Sequence, residues 1–168
     1  MAEYRLQLAT PEDIPVCLKI LSDGRAFQRK QGFTQWQDGY PARSHVEADI
    51  EKSGGYVLQA DGKIAAYLYI GFDGDPSYDD IDGAWHSSAP YAVVHRVAIS
   101  EAFRGRGLAD VIFQLVGELA KSRGVWNLRI DTARPNQRMQ HVLLKNGFQY
   151  RGTVIQNGGE RLAFEKQL

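Results

Sequence analysis

The run from Tyr91 to Lys121, YAVVHRVAISEAFRGRGLADVIFQLVGELAK, constrains this chain most. Val93-Val94-His95-Arg96-Val97-Ala98-Ile99 is β-branched and alternating, which predicts a buried strand. A short turn, Ser100 to Phe103, leads to the basic glycine pair Arg104-Gly105-Arg106-Gly107. Leu108, Val111, Ile112, Leu115, Val116 and Leu119 then recur at helical spacing. A strand, a glycine loop and a helix together can hold an anion. The first amides of a helix have no internal partner, and the helix dipole adds partial positive charge there. Glycine lets a ligand approach the backbone, and Arg104 and Arg106 add charge. A basic helix cap with no ligand is the plain structural alternative.

Several anions are excluded by spacing. No GxxxxGK[ST] occurs, so this is no Walker loop. Asp110 stands where a dinucleotide fingerprint expects its third glycine. An RG-rich nucleic-acid tract would be longer and would not join a strand to a helix. Twenty basic and twenty acidic residues cancel, which argues against a nucleic-acid binder. The single Cys17 excludes an internal disulfide and lies in an apolar helical pattern, as a core residue would. No Cys/His cluster has metal-ligand spacing. The first ten residues lack the apolar run of a signal peptide, and no stretch approaches the ~18–20 apolar residues that span a bilayer. The expectation is a cytoplasmic protein without a membrane partner.

The rest of the chain predicts one domain over residues 1–168. Tyr4 to Leu8 alternates as a strand. Thr10-Pro11-Glu12-Asp13 opens a helix whose apolar face is Ile14, Val16, Cys17, Leu18, Ile20 and Leu21. Arg25 to Tyr40 mixes part of a helix with a loop carrying Phe33, Trp36 and Tyr40. Pro41 to Lys52 reads as a second helix with Ser44 as its cap. Asp61-Gly62 joins two strands as a hairpin. Phe72 to Pro90 is a long Gly-, Asp- and Ser-rich loop. After the central unit come a strand from Trp126 to Asp131, a helix opened by Asn136, and a hairpin about Asn157-Gly158-Gly159. The order predicts an α/β (α+β) fold with a mixed, mostly antiparallel sheet flanked by helices.

Arg104-Gly105-Arg106-Gly107-Leu108-Ala109 fits [QR]-x-x-G-x-[GA]. After a strand ending Val-Ala-Ile, it resembles the pyrophosphate loop of the GCN5-related N-acetyltransferase (GNAT) superfamily. A second run, Asn136-Gln137-Arg138-Met139…Gly147-Phe148, resembles that family's N-x-x-A…G-F segment at the same spacing. The resemblance implies a GNAT-like fold and an acetyl-CoA-dependent N-acetyltransferase with no metal. It implies that backbone groups of the Val97, Ala98 and Ile99 strand take the pantetheine arm. The amides of Arg104, Gly105, Arg106, Gly107, Leu108 and Ala109 would hold the pyrophosphate. Asn136 would contact the cofactor, and a plain helix cap is its compatible alternative.

Two positions depart from the family pattern. Leu143 stands where many members carry a tyrosine that protonates the leaving thiolate, and Met139 replaces the alanine. A thiol pKa of about 8.5 makes the thiolate a tolerable leaving group without it. His141 does not inherit the role, because it lies about 140° around the helix from Asn136. The attacking amine is the harder proton. With a pKa of about 10.4, keeping it neutral at pH 7 costs roughly 4–5 kcal/mol. The acidic base of other members aligns with Val93 here. His95 shares that strand face by the period-two rule and is the candidate base. A histidine packed in the sheet is the alternative. Tyr91, on the same face, is a candidate proton relay, whereas Arg96 points away and should pair with an acid.

The acceptor is less constrained. Asp73, Asp75, Asp79, Asp80 and Asp82 precede the central strand and either attract a cationic amine or form a solvated loop. Phe33, Trp36 and Tyr40 could wall the same cleft. Together these suit a primary amine of a small molecule or peptide. Two rivals to the enzyme reading remain: a non-catalytic acyl-CoA-binding regulatory module, and an interaction domain with a vestigial groove, which the intact Arg104–Ala109 loop disfavours. The terminal hairpin offers an edge strand that could pair with another chain, and the resemblance, not the strand itself, implies a homodimer.

Overall fold

A computed structural model describes residues 3–33, 35–36 and 39–168. The chain divides into two compact units, Met1–Ile70 with Arg96–Leu115, and Gly71–His95 with Val116–Leu168.

The first unit begins with β1 (Tyr4–Leu8). The predicted cap then forms. The Thr10 amide and hydroxyl donate to Asp13 Oδ2 at 2.9 and 3.2 Å, and the Asp13 amide returns to the Thr10 carbonyl at 2.9 Å. Beyond one 3-10 turn, α1 runs from Ile14 to Lys30 and buries Ile14, Cys17, Ile20 and Leu21 on one face. α2 (Arg43–Glu51) starts one residue before the expected helix cap. Its N-cap is Ala42, whose amide donates to His45 Nδ1 at 2.9 Å, so Ser44 lies inside the helix and caps nothing.

β2 (Gly55–Ala60) and β3 (Lys63–Gly71) pair antiparallel about Asp61-Gly62, and β1 pairs antiparallel with β2. Both turn residues have positive φ, 52° and 82°, as a type I′ hairpin needs. The core joins Ala9, Ile14, Cys17, Ile20, Leu21, Trp36, Val46, Val57, Tyr67 and Ala98, with Tyr40 packed against it. Phe33 and Trp36 are buried. They are core residues rather than the exposed cleft wall that the sequence suggested. Cys17 is fully buried, and burial pushes its thiol up to about 12, which confirms a core role.

The second unit is built on hairpins. β5 (Ala92–Ile99) passes through both units. Its first residues pair in parallel with β6 (Asn127–Thr132), from Ala92–Leu128 to Val94–Ile130. β6 pairs antiparallel with β8 (Gly159–Gln167), and β8 with β7 (Gln149–Gln156). β7 also pairs with β4, the two residues Asp82–Gly83. Strand order is therefore β1-β2-β3-β5 in the first unit and β5-β6-β8-β7-β4 in the second. Every described register except β5–β6 is antiparallel, as the mixed sheet required.

β4 was not foreseen, and it changes the terminal hairpin. The outer strand β7 is covered over Gly152 and Thr153 rather than left as a whole open edge. Only glycine permits the contact. A Cβ on Gly152 would lie 2.2 Å from the Asp82 carbonyl oxygen, and one on Gly83 would lie 2.2 Å from that of Arg151.

The predicted α3 (Leu108–Ser122) and α4 (Gln137–Lys145) are both present. No helix among the described residues is long and apolar enough to cross a membrane.

Candidate active site

β5 does not keep its alternation to the end. Arg96 has φ of 55°, a left-handed conformation in the middle of a strand. Arg96 does meet an acid, as expected. It binds Asp49 through Nε at 2.9 Å and Nη2 at 2.6 Å, and donates from Nη1 to the Tyr40 hydroxyl at 3.0 Å. Asp49 also accepts from the Tyr67 hydroxyl at 2.6 Å. This is a buried structural ion pair.

His95 meets two carboxylates within the second unit. Its Nε2 lies 2.8 Å from Asp75 Oδ2, and its Nδ1 lies 3.8 Å from Asp131 Oδ2. The three side chains are 20%, 14% and 6% exposed, so bulk water screens them little. Asp75 is built by local sequence. In Asp75-Pro76-Ser77 its Oδ1 accepts the Ser77 amide at 2.9 Å and the Ser77 hydroxyl at 2.5 Å, capping a 3-10 turn from Pro76 to Tyr78. Gln156 Nε2 donates to Oδ2 at 2.8 Å. Burial alone would lift the Asp75 carboxyl. Hydrogen bonds from His95, Ser77 and Gln156 outweigh burial and hold it well below the usual carboxylate range.

Asp131 behaves in the opposite sense. Burial raises its carboxyl, against the attraction of His95 and a 2.6 Å hydrogen bond from the Tyr78 hydroxyl. Tyr78 is itself fully buried, and burial followed by the Asp131 charge pushes its phenol well above its ordinary value. The Tyr78 ring contacts the rings of Tyr91, Trp85 and His95.

Tyr91 comes to the same place but with a different partner. Its hydroxyl accepts the Asp75 amide at 2.8 Å, which links it to His95 through Asp75. Asp75 departs from its sequence reading too. It is not one of five equivalent loop acids but a fully hydrogen-bonded carboxylate, whereas Asp73, Asp79, Asp80 and Asp82 are exposed. Asp131 and Gln156 were missed. The Asp-Pro-Ser cap could have singled out Asp75, and an acid near the end of an apolar strand could have flagged Asp131. Gln156 carries no local signal.

The glycine loop lies in the first unit. Gly105 and Gly107 have φ of 79° and 70°, and a Cβ added to either would meet nothing within 4 Å. The backbone there faces open space at the start of α3, where helix amides lack internal partners. Arg104 uses its side chain elsewhere. Its Nη2 donates to the Asp23 carbonyl at 2.9 Å, and its guanidinium lies 4.3 Å from the Phe27 ring centroid. The Arg106 side chain is exposed. Asn136 is a cap, with Oδ1 accepting the Met139 amide at 3.1 Å. Leu143 is fully buried, so α4 places a core side chain at the tyrosine position. His141 is exposed.

Residues 22–148 match the Acetyltransferase (GNAT) family. No match is found among curated proteins. Among solved structures, the chain is similar to a GNAT-family acetyltransferase from Streptococcus agalactiae 2603. The TM-score is 0.89 at 37% identity, covering 98% of this chain and 95% of that one. A GNAT-family acetyltransferase from Listeria monocytogenes 4b F2365 gives a TM-score of 0.78 at 22% identity, over 98% and 95% of the two chains. AAC(6')-Ib, solved with ribostamycin and coenzyme A, gives 0.71 at 18% identity over 98% and 93%. The last two show likeness of fold alone. With the strand, glycine loop and helix in place, and a match spanning most of its length, the chain belongs to the Acetyltransferase (GNAT) family and is an N-acetyltransferase of that type.

Proposed function

We propose that residues 1–168 act as one cytoplasmic N-acetyltransferase domain that carries the acetyl group of acetyl-CoA to a primary amine of a small molecule or peptide. The observation that carries this reading is the 2.8 Å contact between His95 Nε2 and Asp75. An ionised carboxylate only accepts, so Nε2 carries a proton, and whenever the ring is neutral its basic lone pair is that of Nδ1, 3.8 Å from Asp131 Oδ2. His95 is then the base. The amine nitrogen attacks the thioester carbonyl carbon as its proton passes to His95. The carbon–sulfur bond breaks, and the thiolate leaves and takes up a proton. Positioning and deprotonation supply the rate.

The cosubstrate assignment follows the glycine loop. The amides from Arg104 to Ala109 take the pyrophosphate, and backbone groups of Val97, Ala98 and Ile99 take the pantetheine arm. Asn136 contacts the cofactor through its side-chain nitrogen while its oxygen caps α4. Tyr91, the candidate proton relay, joins the proton path through its hydrogen bond with Asp75. The ligands solved with AAC(6')-Ib, an aminoglycoside and coenzyme A, support an amine acceptor. A homodimer is the proposed assembly.

The test is CoA release from acetyl-CoA over a panel of polyamines, aminoglycosides, amino acids and short peptides, with a parallel melt in acetyl-CoA. Turnover with one class supports the reading and names the acceptor. A melting shift with no turnover on any class favours the acyl-CoA-binding module instead.

A further inference from the structure

Residues 72–91 carry Asp75 to His95, yet this segment has little regular structure of its own. It contains one 3-10 turn and the two-residue β4, and most of its side chains are exposed. Its placement must come from what it rests on. Arg129, on β6, is the hub. Its side chain is 7% exposed. Nε donates to Glu165 Oε2 at 3.2 Å, and Nη2 donates to the Ser87 carbonyl at 2.6 Å. The guanidinium lies 4.1 Å from the Trp85 ring centroid and 4.1 Å from that of Tyr91.

Both rings pass this placement on. Trp85 Nε1 donates to the Tyr78 carbonyl at 2.8 Å, and the Tyr91 hydroxyl accepts the Asp75 amide at 2.8 Å. The two ends of the turn that begins at Asp75 are therefore held by the two jaws around Arg129. Glu165 anchors the other side. Its buried carboxylate accepts from Asn127 Nδ2 at 2.9 Å, the His86 amide at 2.8 Å and Arg151 Nε at 3.1 Å.

We propose that Arg129 is a positioning residue for acetyl transfer: held between Trp85 and Tyr91, it sets where the Asp75 carboxylate meets His95. The inference rests on the reading of His95 as the base. A lysine cannot substitute. An ammonium has neither the flat face that stacks between two rings nor the fork that reaches Glu165 and Ser87 at once.

Arg129→Lys tests this in the full chain. In the Arg129→Lys protein, the Asp75 carboxyl, followed by carbon-13 NMR through a pH titration, should move up towards the ordinary carboxylate range. Acetyl-CoA affinity should stay within about twofold, because the contacts of Arg129 with Glu165, Ser87, Trp85 and Tyr91 involve none of the residues proposed to hold the cofactor. With the acceptor amine, kcat should fall about 10- to 100-fold at unchanged KM for acetyl-CoA. Tyr91→Phe keeps the stacked ring and removes only the hydroxyl. It should move the Asp75 titration in the same direction, and it serves if Arg129→Lys does not fold. An Asp75 titration unmoved in both folded variants overturns the clamp. Full turnover by His95→Ala would instead overturn the base reading and the catalytic half of this inference, while the Asp75 titration still reports on the clamp alone.

Discussion

Asp75 and His95 stand 20 residues apart in the chain and 2.8 Å apart in the fold. Asp75→Asn keeps the volume of that partner and removes its charge. An amide can present its nitrogen or its oxygen to the ring, so the tautomer is no longer imposed. Turnover of Asp75→Asn should drop about 10²- to 10⁴-fold, the range of general-base catalysis. His95→Ala should match it, and acetyl-CoA should still raise the melting temperature of both. Equal rates in Asp75→Asn and the parent would rule out the dyad.

Gly107 is open on its Cβ side and has φ of 70°. Gly107→Glu places a carboxylate where an anion is expected to bind. The left-handed conformation costs a non-glycine residue about 1–2 kcal/mol, which a domain of this size tolerates. The prediction is a folded protein whose melting temperature no longer responds to acetyl-CoA. A retained response would sink the loop assignment.

The two acids beside His95 give opposite pH signatures. The Asp75 carboxyl is lowered in the fold. Its stabilising contribution is present above the ordinary carboxylate pKa of about 3.9, and is lost as pH falls through the folded value below it. The Asp131 carboxyl is raised, so the folded state holds its proton longer and stability declines as pH rises past the ordinary value. Asp131→Asn should therefore melt higher than the parent at pH 7, provided Tyr78 keeps its hydrogen bond. Asp75→Asn should melt lower at pH 7 and converge on the parent in acid. Thermal melts of both variants from pH 3 to 8 check the two signs together.

Arg96 sets two effects against each other. Arg96→Gly relieves a positive φ worth about 1–2 kcal/mol. It also strips Asp49, only 5% exposed, of its cation, and breaking a buried pair costs about 3–5 kcal/mol. Net destabilisation of about 1–4 kcal/mol follows from these two ranges. A denaturant midpoint equal to or above the parent's would show that strain dominates.

Much of the fold was legible because its signals are local. Thr10 to Asp13, Asp61-Gly62, Asn136 and the β5–loop–α3 run each depend on residues within a few positions. Misreadings fell where two residues compete for one role, where a distant contact decides, or where an element is too short to carry a pattern. Ser44 has the chemistry of a cap, but His45 receives the Ala42 amide and the helix starts earlier. Trp36 reads as a loop aromatic, yet it packs on α1, where a Cβ on Gly24 would lie 2.8 Å from its ring. The long loop was foreseen, but not β4, because two residues carry no periodicity.

The catalytic candidate divides the same way. Sequence by itself determined that a strand bearing His95 runs into a glycine loop and a helix, because strand alternation, glycine freedom and helical period act over neighbouring residues. It also determined that Leu143 has no phenol to offer. Tertiary structure alone decided what His95 touches. Sheet register sets its side chain beside Asp75 and Asp131, while the clamp on residues 72–91 brings one of those acids in. Those contacts join residues from separate strands and a loop, and their energies exist only once the chain has closed on itself.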